Sequence, residues 1–413
     1  MRNELPLVEL VAAILQSMLD AQHSAKTVGF YERIFKRLVK LAKQRGEEHY
    51  SMELGEAFIA DSSYARAEGY CHSRFCAHSR SVQFMESYIK TGQVDWSMAD
   101  NAKEYVPKSE ELSDAKAGFQ QLMSAGSLKE STQCSYLRIV GYFLSYLEDK
   151  GYKSLSQIVS GDVVGFLAVV CKEHYHTVAS LGAGMPGLRM FLQSSPLASQ
   201  YAPELPAKLH RKTDIMEVYS DEEHARIMSY LENSSDISHR NKAICMLALE
   251  TGLRAVDICN LKISDIDWQH DTIHIVQEKT GHPLNLPLRA SYGNELSDYL
   301  LSERPISDSK FVFLQTNAPF NPLKSGHSAC YSILFSAVSG AGIEANGRHF
   351  GTRIARHSMA SRMLRSGVPY PAISEALGQR DPNSAMRYIS ADGVKLAECT
   401  LKLPGKRGAS DGE

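Results

Sequence analysis

One stretch of this chain, residues 263–288, abandons helical spacing for two-residue alternation, whereas the segments around it keep a helical apolar period. Side chains alternate faces along a strand but return to one face every 3.6 residues on a helix, so one pattern cannot serve the other element. Segments 263–267, 272–277 and 284–288 therefore predict three short strands of an antiparallel meander. Segments 220–231 and 241–251 predict helices before it, and four or more helices follow to about residue 401. The expected fold class is mainly α, with one small antiparallel β-sheet confined to a C-terminal α+β domain.

The N-terminal half carries a repeated frame. Thr27, Tyr31 and Gly46 stand at the same mutual offsets as Thr132, Tyr136 and Gly151, 4 and then 15 residues apart. Each frame encloses apolar positions at helical spacing: Tyr31, Ile34, Phe35, Leu38 and Leu41 in one, and Tyr136, Ile139, Val140, Phe143 and Leu147 in the other. A hydroxyl at the start and a glycine at the end suit helix termini, because the oxygen satisfies free amides and glycine tolerates a left-handed cap. Apolar helices are expected again at 52–60 and 156–170, with 109–126 as a helix joining the two halves. Two similar helical modules are one reading, and chance agreement between amphipathic helices is the other. Residues 195–219, with Pro196, Pro203, Pro206 and the basic Lys208, Arg211 and Lys212, read as an interdomain linker. The expected divisions are 1–106, 107–195, a linker at 196–219, 220–401, and a disordered tail at 402–413.

A chain of 413 residues exceeds one ordinary core, and 43% hydrophobic with 22% charged residues is a globular balance. No apolar run is long enough to cross a bilayer, and Glu4, Glu9 and Asp20 interrupt the N-terminal apolar stretch, so no membrane partner and a cytoplasmic location are expected. The eight cysteines are widely spaced, which suits a reducing compartment and mostly buried thiols. A net charge of -2 offers no global signal for nucleic acid. Locally, Arg348, Arg353, Arg356, Arg362 and Arg365 fall in a stretch without acids, although a solvated helix face is the ordinary reading of such a run.

Four phrases carry chemistry. In Thr251-Gly252-Leu253-Arg254-Ala255-Val256-Asp257 an arginine opens a helix with an acid one turn on. This is either a buttressed guanidinium, whose planar fork suits two phosphate oxygens, or a surface salt bridge. Downstream come Arg353-Ile354-Ala355-Arg356-His357-Ser358-Met359-Ala360-Ser361, then Leu377-Gly378-Gln379, then Met386-Arg387-Tyr388-Ile389. In order, these resemble the arginine box, the H-x-x-R-H-[ST]-x-A-[ST] box, the L-G-H turn and the nucleophile box of the tyrosine recombinase or phage integrase family. The likeness spans about residues 220–391, and Gln277-Glu278-Lys279-Thr280-Gly281 matches that family's lysine-bearing turn between two strands.

The resemblance implies a site-specific recombinase that cuts and rejoins duplex DNA for integration, excision or transposition of a mobile element. Tyr388 would hold the DNA end as a 3′-phosphotyrosine, Arg254 and Arg356 would clamp nonbridging oxygens, and Lys279 would protonate the leaving 5′ oxygen. Asp257 and His357 would support them. Such an anionic, crowded transition state calls for fixed positive charge and an acid, and because bond energy is kept, neither ATP, metal nor other cofactor is implied. The implied partners are paired inverted-repeat DNA sites, three further copies of the chain in a tetramer, and accessory proteins, with the enzyme on the nucleoid when bound. Residues 107–195 would be the core DNA-binding module, and 1–106 an additional contact to DNA or protein.

Two positions depart from the family pattern: Arg353 replaces a histidine, and Gln379 replaces a histidine or tryptophan. Arginine stays protonated near neutral pH and cannot be a general base, so Arg353 is expected to act as a cation, while Gln379 can still hydrogen-bond a phosphate oxygen. The cluster Cys71, His72, Cys76 and His78 spreads over more than one helix face and reads as packing or a DNA-facing helix rather than a metal site. A DNA-binding relative with weak or no catalysis, acting as an architectural or regulatory protein, is the alternative function. Retention of the Arg254, Lys279, Arg356 and Tyr388 set argues for the enzyme.

Overall fold

A computed structural model describes residues 5–61, 71–96, 105–175, 177–209, 217–323, 327–344, 347–348 and 350–379. Two compact units divide the chain, Met98–Asp214 and the remainder, Met1–Ser97 with Ile215–Glu413. Three main apolar cores form, each from a separate stretch of sequence.

The first core joins α1 (Leu7–Asp20), α2 (Ala25–Arg45), α3 (Met52–Ala60) and α4 (His72–Thr91) through Leu10, Ile14, Phe35, Leu38, Leu54, Phe58 and Met85. Helix α2 starts earlier than its hydroxyl signal suggests. Ser24 is the N-cap, its side chain accepting from the Thr27 amide at 3.2 Å, so Thr27 lies inside the first turn. Gly46 ends the helix at φ 70°.

The second unit contains α5 (Glu110–Ser124), α6 (Glu130–Asp149), α7 (Asp162–Glu173) and α8 (Val178–Ser194). Thr132 also lies inside its helix, whose N-cap is Lys129. Helices α6 and α8 approach so closely that a Cβ on Gly187 would stand 2.4 Å from Tyr136 Cγ, which explains glycine there. The single helix expected over 156–170 is instead a 3-10 turn, Leu155–Gln157, followed by α7, because Gly161 takes φ 91° between them. The expected linker is shorter as well. A 3-10 turn, Ser199–Glu204, packs against this unit, and Ala198, Ala202 and Leu205 are buried in its core. Prolines ended the helical period, but apolar residues between them kept the segment folded.

The third core holds α9 (Asp221–Asn233), α10 (His239–Thr251), α11 (Ala255–Cys259), β1 (Ile266–Asp267), β2 (Thr272–Val276), β3 (Pro283–Pro287), α12 (Ala290–Asp298) and α13 (His327–Gly340). A π-helical turn, Tyr299–Glu303, follows α12, and α14 (Thr352–Arg365) and α15 (Tyr370–Ala376) complete the described elements. The sheet is antiparallel in the order β1-β2-β3, with Ile273 opposite Leu286 and Ile275 opposite Leu284 on its buried face. The first expected strand is mostly absent: Ile263–Asp265 form a 3-10 turn, leaving two residues to pair. Mainly helical structure with one small antiparallel sheet is thus the fold class.

Three of the five clustered arginines close this unit. Arg348 forks onto Glu223 at 2.6 and 3.1 Å, Arg365 meets Asp221 at 2.8 Å, and Arg362 donates to His224 Nε2 at 2.5 Å, all on α9. Ser358 Oγ also accepts the Tyr219 amide at 2.8 Å, joining α14 to the start of the unit. Burial, then the Arg362 charge, push the His224 pKa down to about 4, against a weaker opposing pull from Asp221. A histidine with a depressed folded pKa contributes stability that is present above about pH 6.5 and lost as pH falls toward 4. His224→Gln keeps an acceptor without titrating, so its melting temperature should fall less than the wild type's across that window. Parallel melting curves from pH 6.5 to 4 would contradict this role.

Cys245, Cys259 and Cys330 are buried, but Cys76, Cys134 and Cys171 are exposed, so the expectation of mostly buried thiols does not hold among the described residues. No helix among them is long and apolar enough to cross a membrane.

Candidate active site

Helix α10 ends where Thr251 Oγ1 bonds back to the Leu247 carbonyl at 2.5 Å and accepts the Leu253 amide at 3.2 Å. Gly252 turns the chain at φ 66°, Leu253 anchors it in the core, and Arg254 emerges as the N-cap of α11. Arg254 Nη1 donates to Gln277 Oε1 at 2.7 Å. Asp257 Oδ2 stands 3.8 Å from the same nitrogen, close enough for attraction but beyond a hydrogen bond. The stronger link of Asp257 is elsewhere, because its Oδ1 accepts the Glu278 amide at 2.9 Å and so ties α11 to the β2–β3 turn. Burial raises the Asp257 pKa, while the Glu278 amide, Arg254 and Arg356 pull the other way.

The β2–β3 turn closes with the Gly281 amide on the Gln277 carbonyl at 2.8 Å and the Gln277 amide on the His282 carbonyl at 2.9 Å. Lys279 sits exposed in this turn. From α14, Arg356 reaches the same region, only 7% exposed, donating from Nη1 to the Gly252 carbonyl at 2.9 Å and from Nη2 to the Leu377 carbonyl at 2.7 Å. Arg353 is exposed one turn earlier, and His357 is buried. After α15, Gly378 turns at φ 61° and the Gln379 amide bonds to the Ser374 carbonyl at 2.8 Å. A side chain at position 378 would collide with Gln277, its Cβ only 2.5 Å from Oε1.

The structure therefore brings Arg254, Arg356, the Lys279 turn and the Leu377-Gly378 turn together around one buried side chain, Gln277, which is 0% exposed. That residue was not among the sequence candidates. A signal existed: the alternation of Ile273 and Ile275 continues to position 277, placing an amide on a core-facing position where it must find partners. Tyr388 and its box lie outside the described residues. Of the cysteine–histidine cluster, His72 Nε2 and Cys76 Sγ are 3.5 Å apart, whereas His78 stacks on Phe58 in the core. No group of three or more potential metal-binding side chains gathers among the described residues.

Comparison with known proteins returns one family. The phage integrase family profile matches residues 217–393. A Sinorhizobium fredii protein carrying the name integrase/recombinase y4gC is 34% identical over 181 residues, covering 44% of this chain and 92% of its own length. Tyrosine recombinase XerA of Pyrococcus furiosus is 24% identical over 266 residues, 63% of this chain and 85% of that protein. Among solved structures, a lambda integrase tetramer bound to a Holliday junction matches with a TM-score of 0.51 at 17% identity, over 78% of this chain and 87% of that one.

Proposed function

The chain belongs to the phage integrase family, and from that premise we propose that it cuts and rejoins duplex DNA at specific sites through a 3′-phosphotyrosine at Tyr388. The observation carrying this reading is the convergence around Gln277 of two guanidinium groups, Arg254 and Arg356, with the turn that bears Lys279, each from a separate element. Two guanidinium groups held in advance suit the nonbridging oxygens of a phosphorane-like state, since they need not reorganise as charge develops. The Tyr388 oxygen attacks phosphorus, the bond to the 5′ oxygen breaks, and Lys279 gives that oxygen a proton. The 5′ hydroxyl of the partner strand then attacks that phosphotyrosine, losing its proton as the bond to Tyr388 breaks and the phenol is re-protonated, so the number of phosphodiesters is conserved.

Arg353 stands exposed on the same helix as Arg356, where a fixed cation lowers the pKa of an approaching phenol and lets its proton leave to water. Gln379 supplies a neutral donor to the phosphate in place of an imidazole. The natural substrate is a pair of inverted-repeat sites bound by four copies of the chain, an arrangement supported by the likeness to a lambda integrase tetramer. The natural task is integration, excision or transposition of a mobile element, and the integrase/recombinase name of one relative is in keeping with the first of these. Residues 107–195 serve as the core DNA-binding module and 1–106 as an added contact. Incubation with nicked duplexes carrying inverted repeats sought in the DNA beside the gene should trap a covalent protein–DNA adduct. Binding without any adduct would instead support an architectural protein.

A further inference from the structure

The hydrogen bonds around Gln277 leave its amide one workable orientation. Oε1 accepts from Arg254 Nη1 at 2.7 Å and from Thr280 Oγ1 at 3.0 Å, while Nε2 donates to the Leu377 carbonyl at 3.0 Å. Arginine can only donate and a carbonyl can only accept, so a flipped amide would set donor against donor and acceptor against acceptor. The Leu377 carbonyl is also the one that receives Arg356 Nη2. A single neutral side chain thus contacts Arg254 and the lysine-bearing turn directly, and reaches Arg356 through a shared acceptor.

Building on the recombinase reading, we infer that Gln277 is the positioning residue of the phosphate site, orienting Arg254 and making its alignment depend on closure of the Lys279 and Leu377-Gly378 turns. Neutrality is what suits it to this work. A carboxylate at the same place would accept the same Arg254 bond, but its charge would compete with the phosphate for the guanidinium. Asp257, the nearby acid, keeps its Oδ2 3.8 Å from Arg254, and its Oδ1 accepts the Glu278 amide instead. Full burial of Gln277 shields its bonds from water, so the orientation holds before DNA arrives.

The test is single-turnover cleavage of a nicked duplex, with duplex binding and thermal unfolding measured alongside. Gln277→Leu should lower cleavage roughly 10- to 100-fold, the scale of a misplaced preorganised donor, while binding stays near wild type. In an Arg254→Ala background the same change should add little, because a residue acting through Arg254 has nothing left to orient. Losses that multiply in the double variant would overturn the proposal. Gln277→Glu supplies a second arm: cleavage should be poor at pH 8 and recover as pH falls, since a protonated carboxyl again presents a neutral acceptor and a donor. Absence of that recovery in a variant that still folds would also overturn it. If Arg254→Ala itself cleaves at the wild-type rate, the phosphate-site reading fails first; if it is impaired but Gln277→Leu is not, the positioning proposal alone fails.

Discussion

Tyr388→Phe should abolish the covalent protein–DNA adduct and leave duplex binding close to that of the wild type. Only one oxygen is removed, the atom proposed to bond to phosphorus; phenylalanine keeps the ring but has no nucleophile. Water could still attack the activated phosphate, but that product is a free 3′ phosphate rather than an adduct. The chain has 19 tyrosines, so the assignment is a strong one to test. Tyr388 is singled out by its place 32 residues beyond Arg356 and behind the Leu377-Gly378 turn. An adduct of undiminished yield from the phenylalanine variant would transfer the nucleophile to another side chain.

The second large effect separates the two arginines. Each alanine variant, Arg254→Ala and Arg356→Ala, should lose roughly 100-fold or more in single-turnover cleavage, the scale of deleting one preorganised donor from an anionic transition state. Their effects on stability should differ. Arg356 is 7% exposed and donates to the carbonyls of Gly252 and Leu377; its loss orphans the buried Gly252 carbonyl at about 1–3 kcal/mol, while the Leu377 carbonyl keeps Gln277 Nε2 as a donor. Arg254 has a 22% exposed side chain and its partner Gln277 Oε1 keeps Thr280 as a second donor, so Arg254→Ala should leave urea unfolding almost unchanged. Arg356→Lys keeps a charge without the planar fork and should rescue neither property fully. Equal stability losses in the two alanine variants would mean that Arg356 does not hold the turns together.

Those expectations rest partly on sequence and partly on what only the fold reveals. Two-residue alternation located β2 and β3, since apolar residues at 273, 275, 284 and 286 demand one buried face. The same alternation overstated β1, where pairing partners existed for only Ile266 and Asp267. Helix α3 matched its apolar period, whereas α7 did not, because Gly161 resets the backbone in the middle of an apolar run. Within the site, Arg254 and Arg356 stood out as phrases, but their connection through Gln277 and the Leu377 carbonyl spans a hundred residues of sequence and leaves no local trace. The arginine run was legible only as charge. Charge spacing does not record the partner, and Arg348, Arg362 and Arg365 turn to the acids and histidine of α9 rather than outward to phosphates.

The central claim, transesterification through Tyr388, is tested most directly by trapping the wild-type adduct on a nicked duplex, digesting both polymers and locating the nucleotide by mass spectrometry. Trypsin cleaves after Arg387 and Lys395, so the account predicts a nucleotide-bearing peptide that begins at Tyr388 and ends at Lys395, with the phosphate on the tyrosine oxygen. A nucleotide on any other residue, or no linked peptide from a protein that binds and cleaves the same duplex, would contradict it.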